Sequence, residues 1–304
     1  MSRIAVVHTD DRVRGLKQAT DLIELNSFAG KRVLLKPNFN SADPTPGSTH
    51  LDLLRALVQW LRERGAAEII VGDRSGMGMT RRVMAEKGVF HLAQEMGFTA
   101  LAFDQLPDAE WVLLQPDNTH WRQGFAVPRL LFEVDAVVQT CNLKTHRFGG
   151  DFSLSLKNTI GLLARMLPGK AYDYMRELHT SGHHLEMIAE ANVAYSPALI
   201  VVDGVEAFTE GGPESGKKVQ TNVVLAGTDR VAIDAAGVAI LRHFGTTPAV
   251  SEGPVFNQAQ IARAVALGLG AKSPEEIELV TPDEGSARFA AEIRGLLERR
   301  DAAA

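Results

Sequence analysis

Lys144, His146 and Arg147 stand just ahead of a Gly149-Gly150 pair, and Lys157-Asn158 follow it closely, in a chain of 304 residues. A lysine stripped of water beside other cations has a lowered pKa and can act as base or nucleophile. Fully charged, the same lysines together with an arginine make a pocket for a carboxylate or phosphate. Histidine titrates near neutrality and serves as acid, base or metal ligand. Lys144, His146 and Lys157 are therefore the candidate catalytic residues, with Arg147 and Asn158 as ligand contacts. The plainer alternative is a solvated basic turn in which His146 is packed and hydrogen bonded.

These residues need elements to hold them. Residues 135–163 open with a buried strand, Ala136-Val137-Val138, and close with a helix-like apolar pattern through Ile160 and Leu163. Three other apolar runs also end in polar residues: Leu35-Lys36-Pro37-Asn38, Val71-Gly72-Asp73 and Val202-Asp203-Gly204. In a parallel sheet the carboxyl ends of the strands form one rim, and ligands bind in the crevice outside it. Lys36, Asn38, Asp73 and Asp203 thus join the candidate ligand-binding residues. Taken singly, Asp73 and Asp203 would read as turn or helix caps.

The order of the remaining segments supports such a rim. Strands are expected at 4–7, 32–35, 68–71, 100–103, 111–114, 198–202, 219–225 and 275–280. Helices are expected at 11–25, in the fifties up to Gly65 with Ser48 or Thr49 as cap, at 80–97, through much of 170–195, from an Asp229 cap to His243, at 254–267 and at the end. Strand, helix, strand at this spacing implies right-handed crossovers and an α/β fold with a doubly wound, mainly parallel, Rossmann-like sheet. We expect one continuous unit over residues 1–304, with softer lobe boundaries near 130 and 195 as the alternative, two lobes then sharing the crevice. Gly211-Gly212-Pro213 reads as a mobile loop over the rim or a wide turn.

Bulk properties narrow the function. The chain is 45% hydrophobic and 23% charged with a net charge of -5, an ordinary globular composition that argues against nucleic acid or an acidic membrane as the main partner. It has neither a signal-peptide pattern nor a run of about 18 apolar residues, so a cytoplasmic location is expected. The single cysteine, Cys141, excludes an intrachain disulfide and any iron–sulfur cluster held by this chain's thiolates alone; it reads as a small buried hydrophobe. Gly76-Met77-Gly78 lacks the third glycine of a dinucleotide loop. His179 and His183 would share a face of a helix, but Ser181-Gly182 between them argues against an unbroken one, and no carboxylate completes a familiar zinc pattern. Interfacial or capping roles suit the group His179, His183 and His184 better, and the chain could form a homo-oligomer.

LLKPNF, ERGAAEIIVGD, NLKTH, SLKNTIGL, VVDGVEAFTEGGPESG and VVLAGTDRVAIDAAG, in this order over roughly residues 30 to 245, resemble the domain-of-unknown-function 362 family. Asn142 stands where that family usually has a proline. Some relatives carry ferredoxin-like cysteine motifs or export signals; neither occurs in this sequence. His146, Gly149-Gly150 and Lys157 are also similar, more distantly, to the catalytic part of nickel-pincer lactate racemases. There a lysine holds a nicotinate-derived nickel cofactor, so this resemblance implies His146, His179 or His183 as metal ligands and a divalent metal or nickel-pincer cofactor.

The leading expectation is an isomerase- or lyase-type enzyme that moves a proton on a small anionic metabolite. Lys144 and Lys157 would hold the charge, and His146 would carry the proton. A metal-dependent racemase or epimerase is the second expectation, and a non-catalytic small-ligand or cofactor carrier the third.

Overall fold

The structure, a computed structural model, describes residues 1–148 and 151–299. The Gly149-Gly150 pair lies outside the described residues. The strands are β1 (Ser2–His8), β2 (Arg32–Lys36), β3 (Glu68–Asp73), β4 (Thr99–Ala102), β5 (Trp111–Leu114), β6 (Phe125–Pro128), β7 (Ala136–Thr145), β8 (Phe152–Ser153), β9 (Leu199–Gly211), β10 (Gly216–Gly227) and β11 (Ile277–Val280). The main sheet has the order β11-β1-β10-β9-β7-β2-β3-β4, with the short β8 added to the end of β7; β5 and β6 form a separate hairpin. Along the main path only β10 runs against its neighbours. The expected α/β fold with a mostly parallel central sheet is what the chain adopts.

Strand by strand, side chains alternate between two apolar layers. Ile4, Val6, Leu34, Ile70, Val137, Ile200 and Val202 pack into one layer with helices Tyr174–Thr180, His184–Glu190, Arg230–His243 and Glu284–Leu297. Ala5, Val7, Val33, Leu35, Ile69, Val71, Val138, Leu199 and Val201 pack into the other, with helices Arg12–Asp21, Leu51–Glu63, Thr80–Glu86 and Val89–Met96. A sheet covered on both faces needs apolar side chains at consecutive positions, which is why the strands read as unbroken Val, Ile and Leu runs.

Several expectations shift in detail. The helix expected over 80–97 is two helices parted by Gly88, which sits at φ +79°, a left-handed conformation that costs glycine little. His50, not Ser48 or Thr49, caps the helix Leu51–Glu63. The hydroxyl of Ser48 instead donates to the Ser41 carbonyl, and that of Thr49 accepts the Asn38 N–H, both closing the 39–48 loop. The glycine-rich segment after β9 is the tip of the β9–β10 hairpin, where the Gly212 N–H donates to Ser215 O. Among the described residues no helix is long and apolar enough to cross a membrane.

Candidate active site

β7, β2 and β3 lie side by side, with β7 running on to Thr145 past the Gln139 that pairs with Lys36, and a cavity of about 880 Å³ opens over their carboxyl ends. Lys36, Asn38, Asp73, Lys144, His146, Lys157, Asn158 and His179 all line it. Its far wall is the 153–161 turn and the helix Tyr174–Thr180.

The floor is a buried polar chain. Lys36 Nζ lies 2.8 Å from Asp73 Oδ1 and donates to Pro37 O at 2.6 Å and Asn158 Oδ1 at 3.2 Å. Asp73 also accepts the backbone N–H groups of Phe39 and Arg74. Burial pushes the Lys36 pKa down and the Asp73 carboxyl up, with each group's charge opposing the other's shift. Gly161 packs directly on this pair: a Cβ there would stand 2.3 Å from Asp73 Oδ1 and 2.6 Å from Lys36 Nζ. Only a glycine lets the turn come so close.

The turn itself is held from two sides. Asp234, in the helix Arg230–His243, accepts the N–H groups of Ser155 at 2.7 Å and Leu156 at 3.2 Å, satisfying donors that the short helix Ser155–Asn158 would otherwise leave unpaired. Gln139 of β7 donates to Ser155 Oγ and accepts from Asn158 Nδ2. Asn158 Oδ1 then accepts from both Lys36 and Asn38. Arg74 fastens the far end through Leu163 O and Ile160 O. The result fixes Lys157 on a rigid turn facing the cavity.

Lys144 is 1% exposed, and its Nζ donates to Gly47 O at 2.5 Å, Pro213 O at 3.2 Å and Asn38 Oδ1 at 3.3 Å. All three acceptors are neutral. Burial, with the nearby charge of Lys157, lowers the lysine pKa to about 7, and the more distant carboxylates Asp43 and Glu214 offset this only in part. The bonds tie the 39–48 loop to the hairpin tip, so Lys144 acts as a clamp and a source of positive potential. Lys157 falls to about 8, again through burial.

The two cavity histidines are set oppositely. The Phe148 N–H donates to Nδ1 of His146, so the neutral ring carries its proton on Nε2. Burial, then the charges of Lys157 and Lys144, hold its pKa far below the usual value and keep the ring neutral. His179 Nδ1 lies 2.6 Å from the Met175 carbonyl, which can only accept. Its proton is therefore on Nδ1, and Nε2 keeps a lone pair. Burial lowers its pKa as well.

Three expected residues lie elsewhere. Arg147 turns away to Glu214 and to the carbonyls of Gly212 and Ser215, bracing the hairpin tip. Asp203 is buried away from the cavity, where it accepts from Arg12 Nε at 3.1 Å; burial raises its pKa. His183 follows a helix end at Ser181, stacks on His120 with ring centroids 4.1 Å apart and approaches Glu186 at 3.6 Å. The break at Ser181 is what separates it from His179. Among the described residues no group of three or more His, Cys, Asp or Glu could hold a metal ion. Conversely, Asp234 and Gln139 escape sequence reasoning, although one acid within the apolar run Val231-Ala232-Ile233-Asp234-Ala235-Ala236 is a detectable signal.

A mostly parallel α/β sheet with a cationic crevice at its carboxyl rim defines the class. The chain belongs to the family described as "Domain of unknown function (DUF362)", whose model matches residues 33–239. The thylakoid-associated protein sll1697 of Synechocystis sp. (strain ATCC 27184 / PCC 6803 / Kazusa) is 26% identical over 210 residues, which cover 67% of this chain and 61% of that relative. The chain thus spans about three fifths of its relative's length. Among solved structures, the lactate racemase apoprotein from Thermoanaerobacterium thermosaccharolyticum aligns at 14% identity with a TM-score of 0.45, over 95% of this chain and 85% of that one.

Proposed function

We propose that the protein binds an organic anion in this crevice and moves a proton on the carbon next to its charged group, as an isomerase or lyase does. The opposed settings of His146 and His179 on one cavity carry the proposal. His179 Nε2 has the lone pair of a general base, so it takes the role that the sequence suggested for His146. The carbon's proton passes to His179 Nε2, and the C–H electron pair moves onto the substrate's carbonyl or carboxylate oxygen. There Lys157 supplies positive charge and His146 Nε2–H a hydrogen bond from a neutral imidazole, a donor suited to a developing oxyanion. Return of the proton completes an isomerisation; departure of a group from the next carbon completes an elimination.

Exchange of the proton α to the carboxylate in D₂O, followed by NMR across a panel of 2-hydroxy and 2-oxo acids, tests this. His179→Gln should abolish the exchange and His146→Gln should slow it about 10²–10³-fold. Full exchange in His179→Gln would overturn the proposal, and binding without any exchange in the wild type would favour a ligand carrier.

A second reading has one specific observation in its favour. Lys157 and His179 line the same cavity, and His179 Nε2 keeps its lone pair, so this chain could hold a cofactor that brings its own metal, by attachment at Lys157 and ligation by His179. Such a group would supply an electrophilic centre, while His146 kept its donor role. Intact mass and elemental analysis after expression with cofactor-synthesis enzymes decide it: an adduct lost in Lys157→Ala supports it, and an unmodified metal-free chain argues against it.

A further inference from the structure

The cavity has an apolar mouth as well as a cationic floor. Nine large hydrophobic side chains are exposed among the described residues, and three of them, Met77 (43%), Met79 (69%) and Phe148 (48%), line this one cavity. Single exposed hydrophobics are ordinary, but several gathered on one concave surface mark a binding site. They come from different places: Met77 and Met79 from the loop after β3, Phe148 from the segment after β7. β2 separates those strands, and β7 runs on to Thr145 past the Gln139 that pairs with Lys36, so the two contributions reach the cavity from different strand ends. Apolar side chains from two separate segments therefore line the one cavity.

The size of the cavity points the same way. A three-carbon acid displaces little more than a few waters, at about 30 Å³ each. The cavity measures about 880 Å³, within the range of about 300–1,000 Å³ that encloses ligands of drug size. A small acid gripped at Lys157 would leave most of it to water, facing the methionines and the exposed part of Phe148, whose ring also carries the Arg147 guanidinium at 4.5 Å.

We infer that the ligand is an amphipathic anion, with its carboxylate or phosphate seated at Lys157 and His146 and an apolar chain or ring system of several carbons lying along Met77, Met79 and Phe148. Unbranched methionine side chains adapt to apolar bodies of different shape. The inference rests on the proposed anion site and specifies what that site is attached to.

Isothermal titration calorimetry of the full chain with propionate, hexanoate and decanoate, each below its micelle concentration, tests it. Octylamine serves as a charge control. Affinity should rise with chain length, by about threefold to fourfold for each methylene that is buried. In Met77→Gln/Met79→Gln the ratio of decanoate to propionate affinity should fall at least tenfold. These side chains are exposed, so folding is not at stake. Lys157→Gln should weaken all three acids together. Equal affinity for the three acids would overturn the inference and leave the anion site standing. Octylamine binding as tight as that of the acids would overturn it too, since plain apolar adsorption would suffice. No binding of any acid would remove both the anion site and the inference.

Discussion

Asp234 Oδ1 accepts the Ser155 backbone N–H at 2.7 Å, although 79 residues separate the two. Through this bond a helix on one face of the sheet decides where Lys157 and Asn158 stand. Burial raises the Asp234 carboxyl to about 8. The native state then holds this proton more firmly than the unfolded chain, whose aspartates titrate near 3.9. Its contribution is complete below that value and is lost as pH rises toward about 8. Urea midpoints of the wild type should therefore fall more steeply between pH 5 and 8 than those of Asp234→Asn. Asp234→Ala, which orphans two N–H groups, should cost about 1–3 kcal/mol at pH 7. Parallel pH profiles of variant and wild type would refute the raised carboxyl.

Anion affinity should depend on pH with a defined sign. Lys157 at about 8 and Lys144 at about 7 are cationic below those values. Binding of hexanoate should be tightest near pH 6 and weaken through pH 7 to 8, by at most about tenfold per unit for each lysine that discharges. Lys157→Gln should remove the upper part of that decline. An affinity that rises with pH would contradict the arrangement.

Gly161 leaves no room for a methyl group. In Gly161→Ala the new Cβ would meet Asp73 and Lys36 at 2.3 and 2.6 Å, and the forced shift should destabilise by about 1–3 kcal/mol. Lys36→Met goes further, because it buries Asp73 without its partner, and should cost about 3–5 kcal/mol. Denaturant titration measures both; a Lys36→Met variant as stable as wild type would mean that the pair is dispensable.

Lys144→Met should release two loops without touching the sheet. The carbonyls of Gly47 and Pro213 lose their shared donor, so amide exchange and proteolysis should quicken in residues 39–48 and 212–216. Protection of the strands should stay as it was. Unchanged exchange in both loops would show that the clamp has no mechanical role.

How much of this was legible beforehand can be told from particular residues. Burial on both faces writes itself into a strand as consecutive apolar side chains, so β2, β3, β7 and β9 could be read directly. The polar residues at their ends placed Lys36, Asp73 and Lys144 on one rim. Asp229 could be seen as a cap, and it does accept from the Val231 and Ala232 N–H groups. The ordered motifs were enough to point to the family. Hydrophobic pattern records whether a position is buried; it does not record what lies opposite. Asp203 reads in the sequence as a strand end like Asp73, yet β9 runs on to Gly211 and Arg12 claims the carboxylate away from the cavity. Arg147 stands next to His146 in sequence and is drawn off by Glu214. The division of labour between His146 and His179 was beyond sequence reasoning for the same reason. Each tautomer is set by one backbone group within four residues, and whether that group is a donor or an acceptor depends on how the chain turns there. The sequence by itself determined the sheet, the rim and the charge gathered on it; the tertiary structure alone decided which groups meet in the cavity and which nitrogen of each ring is free, because the first depends on partners distant in sequence and the second on the direction of individual hydrogen bonds.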